Sequence, residues 1–143
     1  MSKSPPWLSL AYREMAANIA EMPGPESNSR IEEYLKVAGL DATDETPWCA
    51  AFVSWCMAES GYELPKYPAR ARSWLNFGVE LLTPRIGCIV ILRRGKNSAQ
   101  GHVGFYVGCS ASRVIILAGN QSDCVCEQAF RVADVIGYRW IEE

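Results

Sequence analysis

The hydrophobic pattern of the chain changes period at Pro84, and that change limits the fold more than any other feature. Before it, apolar residues recur with the helical period. Trp7, Leu8, Ala11, Tyr12, Met15 and Ile19 form one broad stripe over residues 7–21. The breaker run MPGPESNS, Met22–Ser29, ends that segment, and a second helix is expected over Ser29–Ala38, stopped by Gly39. A third helix is expected after the polar loop Asp41–Thr46, with Thr46 as N-cap, Pro47 as the first helical residue and Gly61 as the stop. Ala69–Phe77 reads as a short helix. Beyond Pro84, Ile89–Leu92, Val103–Val107, Val114–Leu117 and Val135–Trp140 read as strands, with a weaker one near Cys124–Phe130. Helices first and strands later predict an α+β domain: N-terminal helices packed against a C-terminal antiparallel sheet of about five strands.

A chain of 143 residues fits a single domain, residues 1–143, with a core large enough to need neither disulfide nor metal. The net charge of −2 and the lack of a basic, aromatic-interleaved stretch exclude a nucleic-acid partner. No run approaches the length of a membrane span. The opening MSKSPPWLSLAYREMA has no continuous apolar core of a signal peptide, so synthesis in the cytoplasm is expected, with delivery elsewhere by other machinery. A monomer is expected. Six cysteines without a CxxC, beside one histidine, argue against a metal site, and most of them read as free core thiols.

Two of those cysteines share ETPWCAAFVSWC, Glu45–Cys56. If Thr46 caps the helix, Cys49 stands in the first turn, beside free backbone N–H groups and the positive end of the helix dipole. Such a place favours thiolate, the nucleophilic form. Yet Cys49, Phe52, Val53 and Cys56 also follow a helical stripe, which equally suits a buried thiol. The sole histidine, His102, opens the strand QGHVGFYVG. His102, Gly104, Tyr106 and Gly108 share one face there, and the glycines leave room for a close approach. If Val103–Gly108 and Val114–Gly119 form a hairpin with the loop Cys109–Arg113, His102 falls opposite Asn120. Asn120 would then orient the imidazole; a slip of one residue would hand that role to Gln121.

These segments resemble a known group. TPWCAAFVSWC, GHVGFYVG, AGNQSD and VIGYRW, with ARSWLNFG and EMPGPESNSRIEEYLKVAG, are similar to the papain-like NlpC/P60 and CHAP superfamily. The closest likeness is to its small bacterial and phage cell-wall hydrolases. The resemblance implies a papain-like fold and a thiol hydrolase that cleaves an amide bond of peptidoglycan, as a stem-peptide endopeptidase or an N-acetylmuramoyl-L-alanine amidase. It implies Cys49 as nucleophile, His102 as general base and then acid, and Asn120 as the orienting third member, with no metal or other cofactor. Trp48, Arg72 and Trp74 are candidate substrate contacts, Arg72 for a stem-peptide carboxylate. A phage endolysin reaching the wall through a separate pore is the expected setting. An effector injected into rival bacteria and countered by an immunity protein is the alternative, and a non-catalytic wall-binding module a third reading. Relatives tend to carry Asp where RIGCIVIL has Cys88.

Overall fold

Prolines open the first helix: Pro5 precedes it and Pro6 takes its first position, where the missing N–H costs nothing. The computed structural model describes residues 4–22, 27–41, 43, 47–96 and 100–142. The expected cap Thr46 lies outside these. Helix α1 covers Pro6–Ala16 and ends earlier than its periodicity predicts. Asn18 turns left-handed (φ 58°), and the next residues run extended. Ala20 bridges Cys124, Glu21 N–H donates to Asp123 O (2.8 Å) and Val125 N–H to Ile19 O (2.9 Å). Helix α2, Ser29–Val37, is capped by Asn28, whose Oδ1 accepts from Arg30 N–H (2.8 Å) and Ile31 N–H (3.2 Å).

Helix α3 is Cys49–Glu59. Trp48, not Thr46, is its N-cap, and Phe52 N–H donates to Trp48 O (2.9 Å). Cys49 is thus the first helical residue rather than the third. The expected one-sided stripe is also absent, because every residue from Cys49 to Met57 is buried. A helix apolar all round belongs inside, between layers. α1 and α2 pack on α3, and α3 packs on the sheet. Tyr34 of α2 stacks on Trp48 (centroids 6.0 Å) and meets Phe52 edge-on (5.3 Å). Phe52 in turn meets Phe105 of the sheet at 6.3 Å. Among the described residues, no helix is long and apolar enough to cross a membrane.

The expected short helix at 69–77 is a 3-10 helix, Ala71–Asn76. Six strands follow: β1 Val79–Leu81, β2 Ile89–Arg93, β3 Gly101–Ser110, β4 Arg113–Gln121, β5 Cys124–Arg131 and β6 Val135–Trp140. The short, exposed β1 is the one missing from the expected set. All pairings are antiparallel, in the order β1-β6-β2-β3-β4-β5. The fold is α+β and papain-like in layout, as expected.

The β3–β4 hairpin is tighter than expected. Ser110 pairs with Arg113 across a connection of Ala111 and Ser112, and a bulge between Tyr106 and Gly108 absorbs the difference. Beyond the bulge the pairs are Tyr106 with Ile116 and Phe105 with Leu117, the register expected. The close approach between helix and sheet does not fall at Gly104, whose absent Cβ is replaced by the side chains of Ile116 and Ala118. It falls at Gly119. A Cβ there would lie 2.4 Å from Trp48 Cζ3 and 3.0 Å from Phe52 Cβ. Gly119→Ala therefore forces apart β4 and the start of α3. It is expected to lower stability by about 1–3 kcal/mol, read as a fall in urea midpoint at unchanged slope.

Candidate active site

Two elements meet at the sulfur of Cys49. α3 supplies the residue at its very start. β3 supplies His102, which pairs in the ladder with Leu92 and is 2 % exposed, against 5 % for Cys49. The Cys49 sulfur faces His102 and the backbone N–H of the next residue, Val103, and both favour its thiolate. Trp48 offers α3 no side-chain cap, so among the described residues the first-turn N–H groups beside the sulfur have no side-chain acceptor.

The imidazole is held from its far side. His102 Nε2 lies 2.8 Å from Gln121 Oε1. The amide of Gln121 can face only one way, because its Nε2 donates to Cys126 O (2.7 Å) and Ile116 O (3.2 Å). With its nitrogen committed to two carbonyls, Gln121 offers oxygen to the histidine. His102 therefore carries a hydrogen on Nε2, and in the neutral ring that leaves Nδ1 with the lone pair that can take the cysteine proton. Phe130 covers the ring, with centroids 5.2 Å apart.

This corrects the expected third member. Asn120 does not orient His102; Gln121 does. The register of Phe105 and Tyr106 would bring Asn120 opposite His102, but β4 shifts against β5 between Ala118 and Gln121. Asn120 takes the left-handed conformation there (φ 59°), which breaks the strand's alternation and turns Gln121 inward. The run NQSD carried that signal, since Asn tolerates left-handed backbone and Ser122 and Asp123 adopt it too (φ 49° and 61°).

The proposed substrate contacts also change. Trp48 and Trp74 are both 0 % exposed. Trp48 donates to Glu21 Oε2 (3.0 Å) and wedges against Gly119, while Trp74 donates to Pro68 O (3.1 Å). Both are core residues, as aromatics at helical spacing commonly are, and neither walls a groove. Arg72 uses its Nε to hold Gln100 O at 2.6 Å, bracing the backbone that leads into His102. The cation at the site is Arg94, with Nη2 3.5 Å from His102 Nδ1. It follows β2 directly, and the pairing of Leu92 with His102 is what brings it there. Two cavities, of about 480 and 540 Å³, lie along α2 and include neither Cys49 nor His102.

The cysteines, all free, now separate by environment. For Cys49, burial pushes the thiol up, but the charge and hydrogen bond of His102, the Val103 N–H and the charge of Arg94 outweigh it. The net direction is down. For Cys56, burial and then the charges of Glu14 and Glu59 push the thiol well above its usual value. Burial raises Cys88 to about 11. Cys109 is exposed, and Cys124 and Cys126 are half-buried, so these three are not the core thiols expected.

A family model described as CHAP domain matches residues 41–120, more than half of the chain. Among curated proteins, none matches it.

Thiolate grows as pH rises through the thiol's own pKa, so a lowered pKa moves alkylation to lower pH. Peptide-resolved labelling with iodoacetamide near neutral pH should modify Cys49 faster than Cys56. His102→Ala leaves burial with less opposition and should shift the Cys49 curve to higher pH. Equal rates at the two cysteines, or an unmoved curve, would remove the activation.

Proposed function

The chain belongs to the CHAP domain family, a family of peptidoglycan amidases and peptidases, and from that premise and the Cys49–His102–Gln121 arrangement we propose that it hydrolyses a peptidoglycan amide bond by a thiol mechanism. The observation that carries this reading is the anchored amide of Gln121. It selects the one imidazole tautomer whose Nδ1 can accept the cysteine proton. A merely structural thiol would have no use for that selection.

In the reaction, Nδ1 of His102 takes the proton of Cys49, and the thiolate attacks the amide carbonyl. The imidazolium that forms keeps its Nε2–H on Gln121. Negative charge then grows on the carbonyl oxygen, close to the open end of α3, whose first-turn N–H groups can receive it. The intermediate collapses, the C–N bond breaks, and His102 returns its proton to the leaving amine. Water, deprotonated by the same Nδ1, adds to the thioester and releases the acid and the thiol.

The substrate is a stem-peptide or N-acetylmuramoyl-L-alanine amide, and the setting is host lysis by a phage, with the wall reached through a pore made by another protein. Lysis on co-expression with a pore-forming protein, and not without it, supports that setting; lysis that follows a contact-dependent secretion apparatus would favour the injected effector.

Digestion of purified peptidoglycan, followed by mass analysis of the fragments, should reveal one new class of amino terminus and so name the bond. Cys49→Ala should abolish it. Gln121→Ala should lower turnover by about 10²-fold, while Asn120→Gly, which keeps the left-handed turn, should retain most of it. Full activity without the thiol would leave the wall-binding reading in place.

A further inference from the structure

Among the described residues, Arg94 is a cation set beside the candidate catalytic pair without a carboxylate partner. Its neighbour Arg93 is paired with Asp134 at 3.0 Å, and Arg30 with Glu14 and Glu33. Among the described residues, no carboxylate pairs with Arg94. Its guanidinium is exposed, and the partner it has is Nδ1 of His102, at 3.5 Å.

That partner is lost during the reaction. A guanidinium can only donate, and Nδ1 accepts only while it has no proton. Once Cys49 has passed its proton to Nδ1, Arg94 faces a cation. It must then turn to an anion within reach. The thiolate is one, but it disappears when the sulfur becomes acylated. An exposed guanidinium beside the reacting groups, with no carboxylate paired to it among the described residues, is placed to meet an anion brought by the substrate. Planar, forked guanidinium groups pair best with carboxylates.

We propose that Arg94 is a specificity-determining residue that binds a carboxylate carried by the substrate next to the scissile amide. This rests on the hydrolase reading above and narrows it. The preferred stem-peptide bond is one whose flanking residue bears a free carboxylate, and the same peptide with a carboxamide there is a poor substrate. Arg72 was the expected carboxylate partner; its Nε is committed to Gln100 O, whereas Arg94 stands at the imidazole that faces Cys49.

Two measurements separate this inference from the reading beneath it. The first needs no hydrolysis. Iodoacetate and iodoacetamide differ in carrying a carboxylate or a carboxamide beside the reacting carbon. The ratio of their rates cancels any change in thiolate fraction, and exposed Cys109 in the same chain is the internal reference. At Cys49 that ratio should exceed the Cys109 ratio by about tenfold, as one charge-assisted contact allows. Arg94→Gln should bring the two ratios together, and Arg94→Lys should restore part of the difference. The second compares peptidoglycan with free stem-peptide carboxylates against the same material converted to carboxamides. The wild type should cut the free form about tenfold faster through KM, and Arg94→Gln should cut both alike. Equal cutting of the two forms by the wild type overturns the proposal, and so does an iodoacetate preference that survives Arg94→Gln. A loss of turnover in Arg94→Gln that is equal on both forms also overturns it, since the residue would then serve the oxyanion. If neither form is cut, the hydrolase reading fails and the alkylation ratio alone decides whether the carboxylate site exists.

Discussion

The molecule is organised around a helix that has no solvent-facing side along most of its length. From Cys49 to Met57 every side chain of α3 is buried, under α1 and α2 on one side and the sheet on the other. Such a helix can expose chemistry only at an end. Its N-terminal end is where backbone donors are unspent and where the sheet brings β3 to its mouth. Burial of α3 and the placing of Cys49 against His102 are thus two results of one packing arrangement. Cys56, two turns further in, has the same chemistry and none of the opportunity. It meets the field of two carboxylates and no cation.

The imidazole shows a second economy of means. Its orientation is set by Gln121, but Gln121 is set by backbone. Two carbonyls, on β4 and β5, take both hydrogens of the amide. Tautomer selection is thereby built into sheet hydrogen bonding rather than into a chain of side chains that could rotate together. Cys124 and Cys126 add to this, since both sulfurs donate to the backbone oxygen of Gln121, at 3.2 and 3.3 Å.

Much of this could be read from the residues alone, and the failures have physical causes. Period-3.6 and period-2 patterns separate cleanly at Pro84, so the layered α+β architecture follows. Placing His102 at a strand mouth needed only the strand itself. Choosing between Asn120 and Gln121 needed the β4–β5 register, which is fixed by a strand not yet in the hairpin under consideration. Alternation is a property of regular strands, and a left-handed residue at 120 suspends it. Trp48 and Trp74 were ambiguous because a tryptophan beside a nucleophile looks the same in one dimension whether it faces substrate or core. Arg94 carries no motif. It becomes visible only when β2 and β3 are paired and the residue after Arg93 is carried to the histidine.

The short extended segment at Ile19–Glu21 joins the two halves of the site. Its backbone pairs with Asp123 and Val125, just past Gln121, while the carboxylate of Glu21 holds the indole of Trp48, just before Cys49. On the other side, the carbonyl that fixes Gln121 belongs to Cys126. The parts are therefore widely spaced in sequence: a clasp at Ile19–Glu21, a thiol at Cys49, an imidazole at His102 and an anchor at Cys126. While the chain is still emerging, the thiol precedes the strand that disciplines its base. In chain order the residues that fix the imidazole follow both the thiol and the imidazole, so the arrangement is complete only once β5 has paired with β4.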